Sequence, residues 1–218
     1  MKLLIETTED FEVIYEEHNG EKQMFIEGIF MQAETVNRNG RIYPKAVMER
    51  EVARFTREQI SSGTAAGELG HPTGPQMNLD RISHRIVSLK MDGNNVIGKA
   101  LVLNTEAGKT AKALIEGGFR MGVSSRALGS IKETTSKLGG GTVKVVQPDF
   151  KLFAIDMVSD PSAPDAFVNA IFEETDWECK DGVWMPMALT ESVSIAQREV
   201  SRKQRHEYYE LFKGMSKA

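Results

Sequence analysis

The stretch Phe119-Arg-Met-Gly-Val-Ser-Ser-Arg-Ala-Leu-Gly-Ser130 limits the fold more than any other part of this chain. Gly117 and Gly118 stop whatever helix precedes it, so the chain starts afresh there as a short strand. Strand side chains alternate between faces. Phe119, Met121, Val123 and Ser125 then share an apolar face that needs a core. Arg120, Gly122, Ser124 and Arg126 share the other, where a small hydroxyl lies between a residue without a side chain and a cation. On such a face a substrate backbone can approach Ser124 over Gly122, and nearby backbone N–H groups can hold a developing oxyanion. Taken alone, the stretch reads more readily as an ordinary edge strand with a serine pair turned to solvent. A chemical reading has to come from the rest of the chain.

That rest is ordinary in bulk. The length, 218 residues, suits one domain with an appendage, expected as a core over 1–175 and a linker with a charged tail over 176–218. A formal net charge of -4 argues against direct nucleic-acid binding and against an anionic membrane surface. One cysteine, Cys179, excludes an internal disulfide and a Cys-based zinc cluster, which fits a reducing compartment. Cys179 has no basic residues arranged to activate it. No apolar run has the length of a membrane span, and the start of the chain turns acidic at once, without a secretory pattern. The protein is therefore expected to be cytosolic or assembled inside a cell.

In order along the chain, residues 2–17 alternate weakly and lead into the turn signal His18-Asn-Gly20, a hairpin. Met24 to Ala33 is a strong apolar strand in which Gly28 marks a bulge or a close backbone approach. Asn37 to Pro44 is a donor-rich turn, equally a solvated loop or a peptide-holding one. Pro44 opens a helix reaching toward Ser61, with Ala46, Val47, Val52, Phe55 and Ile60 as its stripe. A short strand or loop from Thr64 ends at Gly70-His-Pro72, where Pro72 biases His71 toward extended backbone. Ile82 to Met91 and Val96 to Leu103 form a hairpin over Asp92 to Asn95. A helix from Thr105 to Glu116 has Thr105 as N-cap. Its Gly-Lys-Thr lacks the earlier glycine of a phosphate loop. Ile131 to Lys137 and Thr142 to Val146 form another hairpin. Phe150 to Pro161 reads as a buried strand, and Ala166 to Phe172 as the last core piece. Trp177 to Met187 reads as loop, and Ser192 to Lys213 as a charged, basic helix.

Three of these elements carry complementary chemistry. A serine hydroxyl is a poor nucleophile until a base within about 3 Å takes its proton, and the base needs an acceptor on its second nitrogen. Ser124 and His71 supply the first two. Asp156 sits in the middle of an apolar strand, where a carboxylate is costly unless an imidazole or a cation meets it. An arginine would satisfy Asp156 as well as His71. The order His, Ser, Asp differs from the familiar triads, which geometry permits. Ser125 is the fallback nucleophile; Asp80 and His84 are rivals for the third place. Glu68 with His71 lacks the second histidine of a zinc site, so neither metal nor cofactor is expected.

The blocks Gly67-Glu-Leu-Gly-His-Pro72, Gly122-Val-Ser-Ser-Arg-Ala-Leu-Gly-Ser130 and Asp160-Pro-Ser-Ala-Pro-Asp-Ala166 resemble those of the tailed-bacteriophage prohead (procapsid maturation) proteases. Met24 to Ala33 followed by Asn37 to Pro44 is similar to that family's N-terminal block, so the likeness runs from about residue 20 to 172. The resemblance implies an α+β fold: a mixed, mostly antiparallel β-barrel flanked by helices, as in herpesvirus assembly proteases, here followed by a C-terminal helical tail. It implies a serine endopeptidase inside the prohead, in the host bacterial cytoplasm, that cuts scaffold or core proteins and the major capsid protein, and then itself. His71 would be the base and Ser124 the nucleophile. Asp156 falls where the family has an acidic residue before its proline motif. The herpesvirus relatives use a second histidine as third member, which keeps His84 in view. Arg126, with Gly122, would serve the oxyanion or the product.

The family's preference for glutamate with an aliphatic residue two positions earlier points to self-cleavage after Glu191, in Leu189-Thr-Glu191. Leu114 to Glu116 and Ile171 to Glu173 match too, but within expected structure. Two other classes compete. A non-catalytic capsid or tube protein on the same barrel would have no reason to gather His71, Ser124 and Asp156. An esterase would be expected to carry a Gly-x-Ser-x-Gly elbow, whereas this serine lies in Gly-x-Ser-Ser. Homo-oligomer formation is left open by the sequence.

Overall fold

The structure is a computed structural model that describes residues 2–8, 11–18, 20–37, 39–72, 74–135, 142–159, 177–180 and 183–186. The fold is α+β and mostly antiparallel. Its largest sheet has the order β2-β3-β7-β6-β5, built from β2 (Phe11–His18), β3 (Glu21–Gln32), β5 (Ala66–Glu68), β6 (Ile82–Asp92) and β7 (Asn95–Val102). The second sheet sets β8 (Met121–Gly129) between β1 (Lys2–Thr8) and β11 (Lys151–Ser159), both antiparallel to it. A third joins β4 (Arg41–Ile42), β10 (Thr142–Val146) and β9 (Ile131–Thr135), with the β4–β10 pair parallel.

Local signals placed most of these elements. The β2–β3 and β6–β7 hairpins turn at Gly20 and Gly93, both left-handed at φ 78° and 60°, where glycine carries no steric cost. Helix α1 (Lys45–Phe55) runs on into a π-type turn over Thr56–Ile60, and Pro44 caps it rather than opening it. Its buried stripe is Val47, Met48, Glu51, Val52 and Phe55; Ala46 lies outside it. Helix α2 (Glu106–Glu116) is capped by the Thr105 side chain, which accepts from Gly108 N–H. The core between the two large sheets is filled by Leu4, Ile26, Phe30, Met31, Met48, Phe55, Val123, Ile155 and Met157.

Several expectations change. Residues 2–17 split into two strands in different sheets, so β1 leaves the hairpin and pairs with β8. The serine strand is not an edge: covered on both sides, every residue from Met121 to Gly129 is buried, while Phe119 lies before the strand and is half exposed. Trp177 to Met187 is not all loop, because β12 (Trp177–Lys180) and β13 (Val183–Pro186) pair antiparallel. The expected barrel is not seen closed among the described residues, whose strands make four separate sheets. Among the described residues, the two large sheets are linked by a single parallel bridge, Leu69 to Met157, supported by Gly70 N–H donating to Met157 O at 2.7 Å. Closure needs a continuous ladder, and β5 is too short to provide one. The expected core piece 166–172 and the basic helix 192–213 lie outside the described residues.

Candidate active site

The β8–β11 register sets Asp156 directly opposite Ser124. Directly opposed residues of an antiparallel pair project to the same face with Cβ atoms about 5 Å apart. Ser124, Arg126 and Asp156 therefore share one face, and all three are fully buried. Ser125 pairs with Ile155 and points to the other face, away from the carboxylate.

His71 reaches this face from outside the sheet. The bridge at Leu69 carries the chain onto β11, and Gly70 turns it in the left-handed region, φ 77°. The imidazole then donates from Nδ1 to Asp156 Oδ2 at 3.1 Å. With Nδ1 protonated toward a carboxylate, Nε2 carries the lone pair. That Nε2 is buried and has no hydrogen-bond partner. An imidazole oriented by a carboxylate that itself stands opposite a serine across a strand pair, and with its second nitrogen unbonded, has the parts that general-base activation of a hydroxyl requires.

Asp156 is held from four directions. Oδ1 accepts from Glu68 N–H at 2.9 Å and Arg126 Nη2 at 3.2 Å, and Oδ2 accepts from His71 and from Arg126 Nε at 3.0 Å. Burial by itself pushes this carboxyl up. The His71 hydrogen bond, the Arg126 charge and the Glu68 amide overcome that and hold it below the usual carboxylate range. Asp156 is therefore an anion at neutral pH, able to stabilise an imidazolium.

Arg126 is the hub. Nη1 donates to the carbonyls of Gly74 and Gln76 at 3.0 and 2.9 Å, and Nη2 also donates to Glu68 Oε1 at 3.1 Å. With the two bonds to Asp156, all five N–H groups of the guanidinium are engaged. None is left for an oxyanion or a product, which corrects the expected use of Arg126. The side chain instead neutralises two buried carboxylates and ties down the loop after His71. Glu68 Oε1 also accepts from Asn78 N–H at 3.0 Å, fastening the far end of that loop. Gly122 lies on the Ser124 face and pairs with Val158, one residue beyond the end of β1.

The two rivals lie elsewhere. Asp80 is exposed in a short 3-10 turn, Leu79–Arg81. His84 is fully buried on β6, with Nδ1 on Ser83 Oγ and Nε2 on the Ile155 carbonyl, each at 2.8 Å. Burial drives its pKa from 6.5 down to about 4, so it is neutral and fully bonded, with no nitrogen to offer. Gly67 makes this contact possible: a Cβ there would lie 2.0 Å from Ile155 O and 2.3 Å from His84 Nε2. Among the described residues no cluster of three or more His, Cys, Asp or Glu side chains is arranged to hold a metal. No helix among them is long and apolar enough to cross a membrane.

Sequence reasoning missed Glu68 and the real partners of Arg126. A usable signal was present: Glu68 sits among small and apolar residues of a strand, where a carboxylate requires a cation, the same rule that singled out Asp156. Glu191 lies outside the described residues.

Comparison with known proteins gives the family. The family model for the prohead core protein serine protease matches residues 5–176. The prohead core protein protease of Enterobacteria phage T4 is 43% identical over 151 residues, which is 67% of this chain and 68% of the relative. The solved structure of the bacteriophage T4 capsid assembly protease superposes with a TM-score of 0.68 at 36% identity, covering 73% of this chain and 98% of that one. A match over most of the chain, on a fold that brings an imidazole, a carboxylate and a serine to one face, places this chain in the prohead core protein serine protease family.

Proposed function

We propose that His71, Ser124 and Asp156 are the catalytic residues of this serine endopeptidase. The observation that carries the reading is the Asp156 carboxylate, which holds His71 Nδ1 while standing opposite Ser124 across the strand pair. Ser124 Oγ attacks the scissile carbonyl carbon as His71 Nε2 takes its proton. The tetrahedral adduct collapses as the imidazolium gives that proton to the leaving amine. Water, deprotonated by the same nitrogen, then releases the acyl group and restores the hydroxyl. Asp156 fixes the tautomer and balances the imidazolium. Arg126 and Glu68 hold Asp156 and the 72–77 loop in place.

The substrates we propose are scaffold or core proteins and the major capsid protein, cut inside the prohead in the bacterial cytoplasm. The name of the T4 relative, a prohead core protein protease, supports this. The two sheets bridged at Leu69 and Met157 are read, in the same proposal, as a variant of the herpesvirus assembly protease barrel. Residues 176–218 are read as an appended linker and charged tail, with self-cleavage after Glu191 releasing the part beyond it.

Co-expression with a phage scaffold protein tests this. Wild type is expected to process the scaffold, and Ser124→Ala to leave it intact. A fluorophosphonate probe is expected on the peptide containing Ser124, with fragmentation placing it there and not on Ser125. Processing by Ser124→Ala, or labelling confined to Ser125, would remove Ser124 from the mechanism. Intact mass of the active product tests the tail: residues beyond Glu191 still attached after scaffold cleavage would count against self-cleavage there.

A further inference from the structure

A third buried carboxylate lies outside the site. Glu51 on α1 is 2% exposed, yet its helix packs on the strand that carries Asp156. Glu51 Oε1 accepts from Leu152 N–H at 2.7 Å, and Arg54 Nη2, itself paired with Glu51 at 2.6 Å, donates to Leu152 O at 2.7 Å. One ion pair on α1 thus takes both backbone groups of a single β11 residue, on the edge turned away from β8.

Leu152 is no arbitrary position. It pairs with Ala127, and the next pair is Ala154 with Arg126, so Phe153 is an extra residue on β11. The bulge begins immediately after the clamped residue. Its consequence comes from strand periodicity, since one residue of slip moves every later side chain to the opposite face. Counting from Leu152 opposite Ala127 without the bulge, Ile155 would oppose Ser124, and Asp156 would oppose Val123 on the core face. With the bulge, Asp156 opposes Ser124. Beyond it, β11 is held by the bridge from Leu69 to Met157, so the bulge is the adjustable step between two anchored halves.

We propose that Glu51, with Arg54, is a positioning residue for catalysis: it fixes the start of β11 so that the bulge at Phe153 delivers Asp156 to the face of Ser124. The inference rests on the catalytic reading of Asp156. A carboxylate that only satisfied a buried amide would affect stability alone.

Fluorophosphonate labelling of Ser124, measured by mass spectrometry beside a thermal melt, separates the two roles. Glu51→Ala is expected to slow labelling on the order of tenfold or more well below its own melting temperature, because a small misplacement of a catalytic group costs that much. In an Asp156→Asn background the same change is expected to alter the rate less than about twofold, since both act through one carboxylate. Glu51→Gln keeps an acceptor for Leu152 N–H but loses the Arg54 pairing, and is expected to fall between. Arg50→Ala is the control. Arg50 also ties α1 to this strand, donating to Phe150 O at 2.8 Å and to Pro148 O; it lies 3.7 Å from Glu51 Oε2, the oxygen that Leu152 does not use, and it touches neither group of Leu152. It is expected to lower the melting temperature with labelling unchanged.

A folded Glu51→Ala that labels at the wild-type rate overturns the proposal. So does an equal fold-loss in both backgrounds. If Glu51→Ala does not fold, Glu51→Gln and Arg54→Ala are compared in the same two backgrounds, and wild-type labelling in both overturns it equally. Wild-type labelling by Asp156→Asn would instead remove the catalytic reading beneath it, and the inference would go with it.

Discussion

His71 and His84 lie near the same carboxylate-bearing strand, and they differ in what meets their second nitrogen. His84, on β6, is enclosed: one nitrogen accepts from Ser83, the other donates to Ile155 O. His71, between Gly70 and Pro72, has one nitrogen on Asp156 and the other unbonded. A buried histidine with both nitrogens spent is a strut, whereas one held by a carboxylate with a lone pair left over is a base in waiting. Burial therefore does not distinguish the two roles; the unused nitrogen does.

The sharpest way to break this contrast is to remove each histidine. His71→Ala is expected to reduce peptide hydrolysis on the order of 10⁴-fold or more with little change in melting temperature. A residual rate within about tenfold of wild type would end the distinction. Asp156→Asn should come next. It is expected to lower turnover on the order of 10³- to 10⁴-fold and to destabilise the fold by about 3 to 5 kcal/mol, because the buried Arg126 loses a charge that balances it. Denaturant melts would read the second effect. The Asp156 carboxyl lies below its ordinary value in the folded chain, so its stabilisation is complete above the unfolded value of 3.8 and is lost as pH falls through the folded one.

His84 should act in a different pH window. Its folded pKa of about 4 lies below the unfolded 6.5, so between these values the unfolded chain binds the extra proton. Stability is expected to decline as pH drops from about 6.5 to 4, by about 3 kcal/mol in all, and then to level off. In His84→Gln that decline should flatten, while activity at neutral pH stays within a few-fold. Melting temperatures against pH for the two proteins check this, and parallel curves would contradict it. The smallest effect expected is from Gly67→Ala. Its Cβ would meet the Ile155 carbonyl at 2.0 Å, and backbone cannot step aside as a side chain tip does. A loss of about 1 to 3 kcal/mol is expected from such overpacking. An unchanged melt would mean β5 and β11 are not held as close as they lie here.

The hairpins at Gly20 and Gly93, the Thr105 cap and the face shared by Ser124 and Arg126 were all legible along the chain, because each depends on residues a few positions apart. The pairing of β1 with β8 was not, and neither was the clamp of Arg126 on Glu68 and Asp156. Those partners are remote in sequence, and nothing local marks one carboxylate as the match of one particular cation.

The amino-acid sequence by itself determined the chemical inventory: an extended histidine, a serine on a glycine-thinned strand face, and a carboxylate too costly to leave unpaired in an apolar strand. Only the tertiary structure decided which acid meets the histidine and which serine stands opposite that acid. Both answers turn on register, and register is set by long-range contacts: the bridge at Leu69, the bulge at Phe153 and the α1 side chains that hold Leu152. One residue of slip exchanges the two faces of a strand, so a periodicity read from sequence names the faces but cannot say which of them a distant partner will share.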